Sequence, residues 1–254
     1  MTSAVIVLAL DTATAATTAA IQGEGLEVSR TIIDPHRHVE SLPSLIDDVL
    51  REAGLAPSEI DLIGSGVGPG PFTGLRVAIS TATAMSAALD IPVVGVCTHD
   101  AMARGALAGA SQPLPVTVVT RARRVESFWS TYDGAGIRTA GPLALTNESV
   151  SAMAADAEPR IWAGDSAESL TPDTQERLLG PAYPNAHDLA ALILERVESG
   201  ESLPEMVESA QLEPATARGD TTEQWLLQRI AHGRVLLPAR PLYLRRPDAV
   251  EPVL

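Results

Sequence analysis

The stretch GVGPGPFTGLRVAISTA, residues 66–82, has the form of a phosphate-binding loop that runs into a helix. It matches neither standard fingerprint. Counted from Gly66 or from Gly68, the sixth position of the pattern Gly-x-Gly-x-x-Gly is not glycine, and Gly74 precedes Leu-Arg instead of the Lys-Ser/Thr of a P-loop. Two interpretations remain: a tight structural turn, or a loop whose helix N-terminus contacts an anion or a partner.

The residues after this loop predict a helix from about Phe72 to Leu89. Between Ala78 and Ala88 no residue is charged, whereas an exposed helix normally carries a polar stripe. Either the helix is fully buried between a sheet and a neighbouring helix, or its outer face binds another protein. Arg76 lies near the start of this helix, where its positive charge opposes the helix dipole. Either water solvates this charge, or a carboxylate on this chain or on a partner offsets it.

The segment before the loop, HVESLPSLIDDVLREAG (residues 38–54), also has apolar residues at helical spacing, and Gly54 ends it. Pro43 lies inside this pattern. The helix therefore begins at Ser41 with the proline in its first turn, or begins near Arg37 and bends. Its apolar arc is wide, so the two helices are suited to form half of a helical bundle that a partner completes.

The strands around these helices indicate a duplicated α/β chain. AVIVLAL (residues 4–10) is apolar throughout, as expected of a strand that is buried on both faces, and two further strands with short turns extend it into an antiparallel meander. After a boundary near Gln112, the order strand, turn, strand, turn, strand returns about 110 residues later. In the second copy, Arg121 stands about where the first copy has Asp11.

These patterns predict two lobes, residues 1–110 and 111–254. In the second lobe RIWAG predicts a short strand and residues 186–199 predict a helix. Residues 201–234 form an additional segment; its first part is rich in Glu, Ala, Pro and Ser, and TTEQWLLQRIAH (residues 221–232) has the pattern of a short amphipathic helix.

The charge of the chain argues against nucleic-acid and membrane binding. The formal charge is −14 over 254 residues, which repels phosphate backbones and anionic membranes. The basic clusters are not interleaved with aromatic residues, so we expect little direct contact with nucleic acids. These clusters are Arg121, Arg123 and Arg124, and, near the end, Arg245 and Arg246.

The cysteine content and the N-terminal sequence favour an intracellular location. Cys97 is the single cysteine, so no intramolecular disulfide forms, and its apolar surroundings indicate a buried structural thiol. The first residues lack a basic region ahead of their apolar run, and no stretch reaches the roughly 18 apolar residues that span a bilayer. We therefore expect a cytoplasmic protein without a membrane segment.

Few residues are placed for chemistry. Asp11 ends the first strand, and Thr12 follows it. The two residues are candidates for binding a cofactor, through its phosphate or through magnesium-bound water. The alternative is that Asp11 caps an Asx-type turn. A histidine metal site needs two residues on one helix face, but His36 and His38 are two apart and Leu42 stands four after His38. We expect no metal site, no cofactor and no catalytic triad.

Three segments resemble the TsaB family: LALDTAT (residues 8–14), the stretch from residue 66 to residue 98, and PLYLRRPDA (residues 241–249). The similarity covers most of residues 3–200 and the tail from about residue 240, and the Gly-Pro-Gly-Pro-Phe-Thr-Gly-x-Arg segment is highly specific. The resemblance implies the actin/Hsp70/sugar-kinase fold, with two similar lobes that each open with a strand meander. Two departures are the sequence RAR at residues 121–123, where the family often has Asp-Ala-Arg, and the long segment 201–234.

The resemblance also implies a role and a partner surface. TsaB proteins are the non-catalytic dimerization subunit for TsaD, which makes threonylcarbamoyladenosine in tRNA together with the ATPase TsaE, and they pair with TsaD through their first-lobe helices. Alternatives are an ATP-using kinase-like or peptidase-like enzyme of the same fold, or a homodimer through the same helices. The candidate interface residues are Leu42, Leu45, Ile46, Val49, Phe72, Arg76, Ile79, Ser80, Thr83, Ala84 and Ala87.

Overall fold

The computed structural model describes residues 5–23, 25–155, 157–171, 178–204 and 235–244. The strands are β1 Val7–Asp11, β2 Ala16–Gly23, β3 Leu26–Ile33, β4 Leu62–Gly66, β5 Val93–Val96, β6 Val116–Arg123, β7 Glu126–Tyr132, β8 Arg138–Thr146, β9 Ile161–Ala163 and β10 Leu178–Leu179. The helices are α1 His38–Ala53, α2 Phe72–Leu89, α3 Thr98–Ala108, α4 Asn147–Ala155, α5 Ala167–Leu170 and α6 Ala186–Glu198.

Two five-stranded sheets with the same topology form the framework. The first has the order β3-β2-β1-β4-β5 and the second, read in the same sense, β8-β7-β6-β9-β10. In each sheet the first three strands form an antiparallel meander and the next two add in parallel. The predicted duplication is confirmed, and the arrangement is that of the actin/Hsp70/sugar-kinase fold.

The pairing of the strands shows which residues of the two copies correspond. It moves the counterpart of Asp11 by one residue from the position that the sequence predicts. Val7 pairs with the first residue of β4, and Val116 pairs with the first residue of β9. Counted from these pairs, Thr120 corresponds to Asp11, and Arg121 follows one position later. Arg121 is exposed, and its backbone N–H donates to Oδ1 of Asp165 at 2.8 Å.

The apolar run of β1 is continuous because helices cover both faces of the first sheet. Leu8 and Leu10 pack with α1 and α2 on one face, while Val7 and Ala9 pack with α6 on the other. Since side chains alternate along a strand, a strand between two helical layers needs apolar residues at every position. β1 is fully buried as a result.

The helix α1 begins at His38 with Arg37 as its N-cap residue, so Pro43 lies inside the helix, as in the second of the two alternatives. Gly54 adopts a left-handed conformation, with a φ angle of 69°, and ends the helix. The apolar face of α1 covers β2 and β3, and its solvent face carries polar and acidic residues such as Glu40 and Asp47. α1 is therefore an amphipathic helix of the usual kind.

The second half of the chain returns to the first sheet, which the predicted division at residue 110 does not describe. α6 packs against β1 and β2, and its Ile193 is so close to the sheet that a side-chain carbon added to Gly64 would lie 2.1 Å from Ile193 Cδ1. Residues 235–244 also rejoin the first lobe, where Leu237 pairs with Gly95 beside β5. Residue 110 therefore lies between the two sheets in the chain, but residues from the second half of the chain help to cover the first sheet.

A few predicted elements lie outside the described residues: most of the segment 201–234, with its helix at residues 221–232, and the pair Arg245 and Arg246. Within the ranges that the structure describes, no helix combines the length and the apolar character needed to cross a bilayer.

Candidate partner-binding face

The glycine–proline loop packs against the turn that follows β1, and this contact requires two of its glycines. A side-chain carbon added to Gly70 would lie 2.1 Å from the Ala13 carbonyl oxygen, and one added to Gly74 would lie 2.5 Å from the Thr12 carbonyl oxygen. Only a hydrogen atom fits at such distances. These contacts favour the interpretation of the loop as a tight structural turn that allows close backbone approach.

Asp11 is a buried residue of this turn. Its carboxylate accepts hydrogen bonds from the Ala13 backbone N–H and from the Thr98 hydroxyl, both at 2.7 Å. Burial raises the pKa of the carboxyl group to about 6, and the two hydrogen bonds oppose part of that rise. A side-chain carbon on Gly66 would lie 1.8 Å from Asp11 Oδ2, so β4 encloses the carboxylate. The geometry is that of the turn cap.

The Thr12 hydroxyl joins the same turn to α2. It donates to the Gly74 carbonyl oxygen at 2.6 Å and accepts from the Ala78 backbone N–H at 3.0 Å. Gly74 and Ala78 stand four residues apart in α2, so the hydroxyl bridges an acceptor and a donor of one helical turn. Thr12 therefore sets the position of α2 on the sheet, and its side chain is buried.

Two other groups with potential for chemistry are buried beneath this region. Burial raises the pKa of the Cys97 thiol to about 12, which keeps it protonated. His99 is fully buried, with Nδ1 2.8 Å from Ser130 Oγ and Nε2 2.8 Å from Thr120 Oγ1, and burial lowers its pKa to about 3. Among the described residues, no group of three or more His, Cys, Asp or Glu side chains is placed to hold a metal ion.

Apart from Arg76, the exposed face of α2 is uncharged. The Ser80 hydroxyl donates to the Arg76 carbonyl oxygen and the Thr83 hydroxyl to the Ile79 carbonyl oxygen, so both side chains turn their donors back onto the helix. Arg76 is the single charged residue of the helix. The residues of this face, called the α2 face below, are Thr73, Arg76, Ser80, Thr83, Ala84, Ala87 and Ala88.

Five of the predicted interface residues have side chains that lie in the core of the chain. Each is at most 7% exposed and packs between a helix and the first sheet or the loop. Helical spacing of apolar residues marks the face that a helix buries, and for α1 that face is turned to its own sheet. The buried residues are Leu42, Leu45, Ile46, Val49 and Ile79.

The remaining predicted positions, all on α2, are accessible. Arg76, Ser80, Thr83, Ala84 and Ala87 are exposed, and Phe72 is half-buried. The inner face of α2 is therefore buried in the core, whereas its outer face is exposed, with Arg76 in contact with the tail.

The tail packs against the start of α2, a contact that no local sequence pattern predicts. Tyr243 packs against Phe72 with ring centroids 4.6 Å apart and ring planes tilted by 41°, and its hydroxyl accepts from Arg76 Nε at 3.0 Å. The Leu242 backbone N–H donates to the Val67 carbonyl oxygen at 2.8 Å, which anchors the tail beside the loop. A cleft of about 200 Å³ lies here between the lobes, lined by Gly70, Pro71, Phe72, Ala122, Arg123, Phe128, Tyr243 and Leu244.

Comparisons with known proteins find relatives among proteins of tRNA threonylcarbamoyladenosine biosynthesis. The family described as TsaD, tRNA N6-adenosine threonylcarbamoyltransferase, matches residues 33–166. An uncharacterized Mycobacterium tuberculosis protein is 37% identical over 96% of this chain and 93% of its own length. The Escherichia coli tRNA threonylcarbamoyladenosine biosynthesis protein TsaB is 32% identical over 50% of this chain. The solved structure of YeaZ from Pseudomonas aeruginosa is 30% identical, with a TM-score of 0.66, over 78% of this chain and 94% of YeaZ.

Some matches cover only part of the relative. The aligned region spans 54% of the E. coli protein and 38% of an uncharacterized Mycobacterium leprae protein that is 46% identical over 142 residues.

Proposed function

The chain belongs to the TsaB (YeaZ) family, and from this premise we propose that it is a non-catalytic subunit in tRNA threonylcarbamoyladenosine biosynthesis. Its partner in this proposal is TsaD, the threonylcarbamoyltransferase, which it binds and activates, and the ATPase TsaE joins the pair. The match of residues 33–166 to the TsaD family supports the pairing. Two proteins of related fold carry corresponding helices. In this proposal α2 of this chain and the corresponding helix of TsaD pack about a pseudo-twofold axis.

The observation that carries the proposal is the α2 face. Apart from Arg76, the side chains of this face are small and uncharged, and the hydroxyls of Ser80 and Thr83 are bonded to the helix, so this part of the face loses little when water leaves it. Alanine and serine side chains also let the backbone of another helix approach closely, as in ridge-into-groove packing. Ala84 and Ala87 stand on this face, three residues apart. The face is suited to a helix of a partner protein.

The buried state of the reactive groups supports a non-catalytic role. A kinase-like or peptidase-like enzyme needs an accessible base, nucleophile or metal ligand. Asp11 and Thr12 are committed to contacts within the first lobe, and the protonated Cys97 and neutral His99 are fully buried. In this proposal Asp11 holds the turn after β1, and Thr12 holds α2 in place.

The test is a titration of TsaD with the wild-type chain and with the Ala84→Glu variant. A glutamate on the α2 face would be buried without a partner in the complex, which costs on the order of 3 kcal/mol or about a hundredfold in affinity. The matched control is Ala152→Glu, an exposed alanine on α4 of the second lobe. Both variants change an exposed side chain, so their stability should stay within about 0.5 kcal/mol of the wild type.

The proposal predicts tight binding by the wild type and by Ala152→Glu, and loss of binding by Ala84→Glu. Equal binding by all three proteins would place TsaD elsewhere. A chain that forms only a homodimer, which Ala84→Glu splits while TsaD stays unbound, would assign the α2 face to self-association and overturn the proposal.

A further inference from the structure

Arg76 differs from the α2 face around it because its side chain is charged. It is the single charged residue of an 18-residue helix, and it is exposed on the α2 face. It stands at the fifth position, close to the N-terminal end, where a cation opposes the helix dipole, and the first turn of α2 has no acidic residue to offset it. Among the described residues, no carboxylate lies within ion-pair distance of Arg76.

The tail holds this side chain from one side. The Tyr243 hydroxyl accepts the Nε–H of Arg76 at 3.0 Å, and the Tyr243 ring itself packs against Phe72. Within the described part of the chain, the two terminal amino groups of the guanidinium make no hydrogen bond. A guanidinium that is held at Nε and open at its terminal amino groups is prepared for a second, charged acceptor, and holding it in advance reduces the entropy lost on binding.

We propose that Arg76 receives a carboxylate from the helix that covers the α2 face, so that one ion pair anchors an otherwise uncharged interface. The inference rests on the proposed function, because it names the chemistry that the same face recognises in TsaD. A carboxylate fits better than a phosphate, since the chain carries a net charge of −14, which disfavours a nucleic-acid backbone. Arg–carboxylate pairs are among the stronger and more directional contacts in proteins.

The pair has two roles in this scheme. It fixes the register of the two helices, which small apolar side chains alone define poorly, and it excludes partners that present a lysine or arginine at that position. Tyr243 acts as a positioning residue, since it touches the guanidinium and not the partner's carboxylate.

The experiment measures the affinity of the full chain for TsaD at 50 and 500 mM NaCl. We expect Arg76→Gln to bind about ten- to a hundredfold more weakly at low salt and to lose most of the salt dependence. Arg76→Lys should recover part of the affinity, because it keeps the charge and loses the planar fork. Tyr243→Phe should bind about two- to fivefold more weakly with its salt dependence retained.

Arg124→Gln is the matched control, because it removes one exposed positive charge from the second lobe. The inference predicts wild-type affinity and salt dependence for this control. Wild-type binding by Arg76→Gln, combined with loss of binding by Ala84→Glu, would overturn the ion pair and leave the proposed function standing. Failure of the wild-type chain to bind TsaD at either salt concentration would overturn both.

Discussion

Replacing Arg138 with methionine should destabilise the whole chain strongly, because this residue ties the second sheet to a helix of the first lobe. Arg138 begins β8, and its Nε and Nη2 groups donate to the carboxylate of Asp100 in the first turn of α3. The Tyr132 hydroxyl of β7 donates to the same carboxylate at 2.7 Å. The Arg138 and Asp100 side chains are 9% and 10% exposed.

The expected magnitude follows from this burial. Removing one partner of a buried ion pair leaves the other charge without compensation and costs about 3–5 kcal/mol. For a chain of this length each kcal/mol lowers the melting temperature by about 2–4 °C, so the midpoint should fall by about 6–20 °C. The double variant Asp100→Asn/Arg138→Met should be more stable than Arg138→Met alone, because the uncompensated carboxylate is removed.

Thermal and urea unfolding followed by circular dichroism measure this loss. The control is Arg104→Met on the same helix, whose ion pairs with Asp188 and Glu195 of α6 are more exposed and worth about 1 kcal/mol. A loss below about 1 kcal/mol for Arg138→Met, or equal losses for the two variants, would refute the account of a buried cross-link between the lobes.

Two further predictions concern the turn after β1. The pKa of Asp11 is raised to about 6, so the folded chain binds this proton more tightly than the unfolded chain does. Ionisation of the carboxyl group as the pH rises from about 4 to about 6 therefore lowers the free energy of unfolding. The total loss is on the order of 3 kcal/mol. Asp11→Asn removes this loss, so its urea midpoint should rise relative to the wild type from pH 4 to pH 7; parallel pH profiles would contradict the burial. Gly70→Ala should destabilise by about 2 kcal/mol or more in urea unfolding, because its new side chain meets the Ala13 carbonyl oxygen, whereas an unchanged midpoint would show that the loop is loose.

Local sequence pattern was sufficient for the framework. The helix of α2 was predicted with its observed bounds, because a proline and glycine loop precedes it and a long run of helix-forming residues follows. The duplication was visible because each sheet needs the same order of buried strands and turns. By contrast, α4 was not predicted; only Val150 and Ala154 of this helix are buried, so its apolar periodicity is weak.

The candidate site was harder to predict, because a single chain does not reveal which apolar face its own sheet covers. Leu42 and Val49 show the spacing expected of a docking helix, and the same spacing is required for packing on β2 and β3. Long-range contacts were equally hidden. Nothing in the local sequence places Tyr243 beside Arg76, which lies 167 residues away in the chain.

Site-specific alkylation measures whether a partner helix covers the α2 face. Cys97 is buried, with its pKa raised to about 12, so the native thiol gives little background and a single engineered cysteine can be followed. Ala84→Cys places this probe on the α2 face, and Ala152→Cys places it on α4. With TsaD at ten times its dissociation constant, about a tenth of the chain stays free, so alkylation at residue 84 should slow by about tenfold and alkylation at residue 152 should not change. Equal alkylation rates at residue 84 with and without bound TsaD would contradict the account.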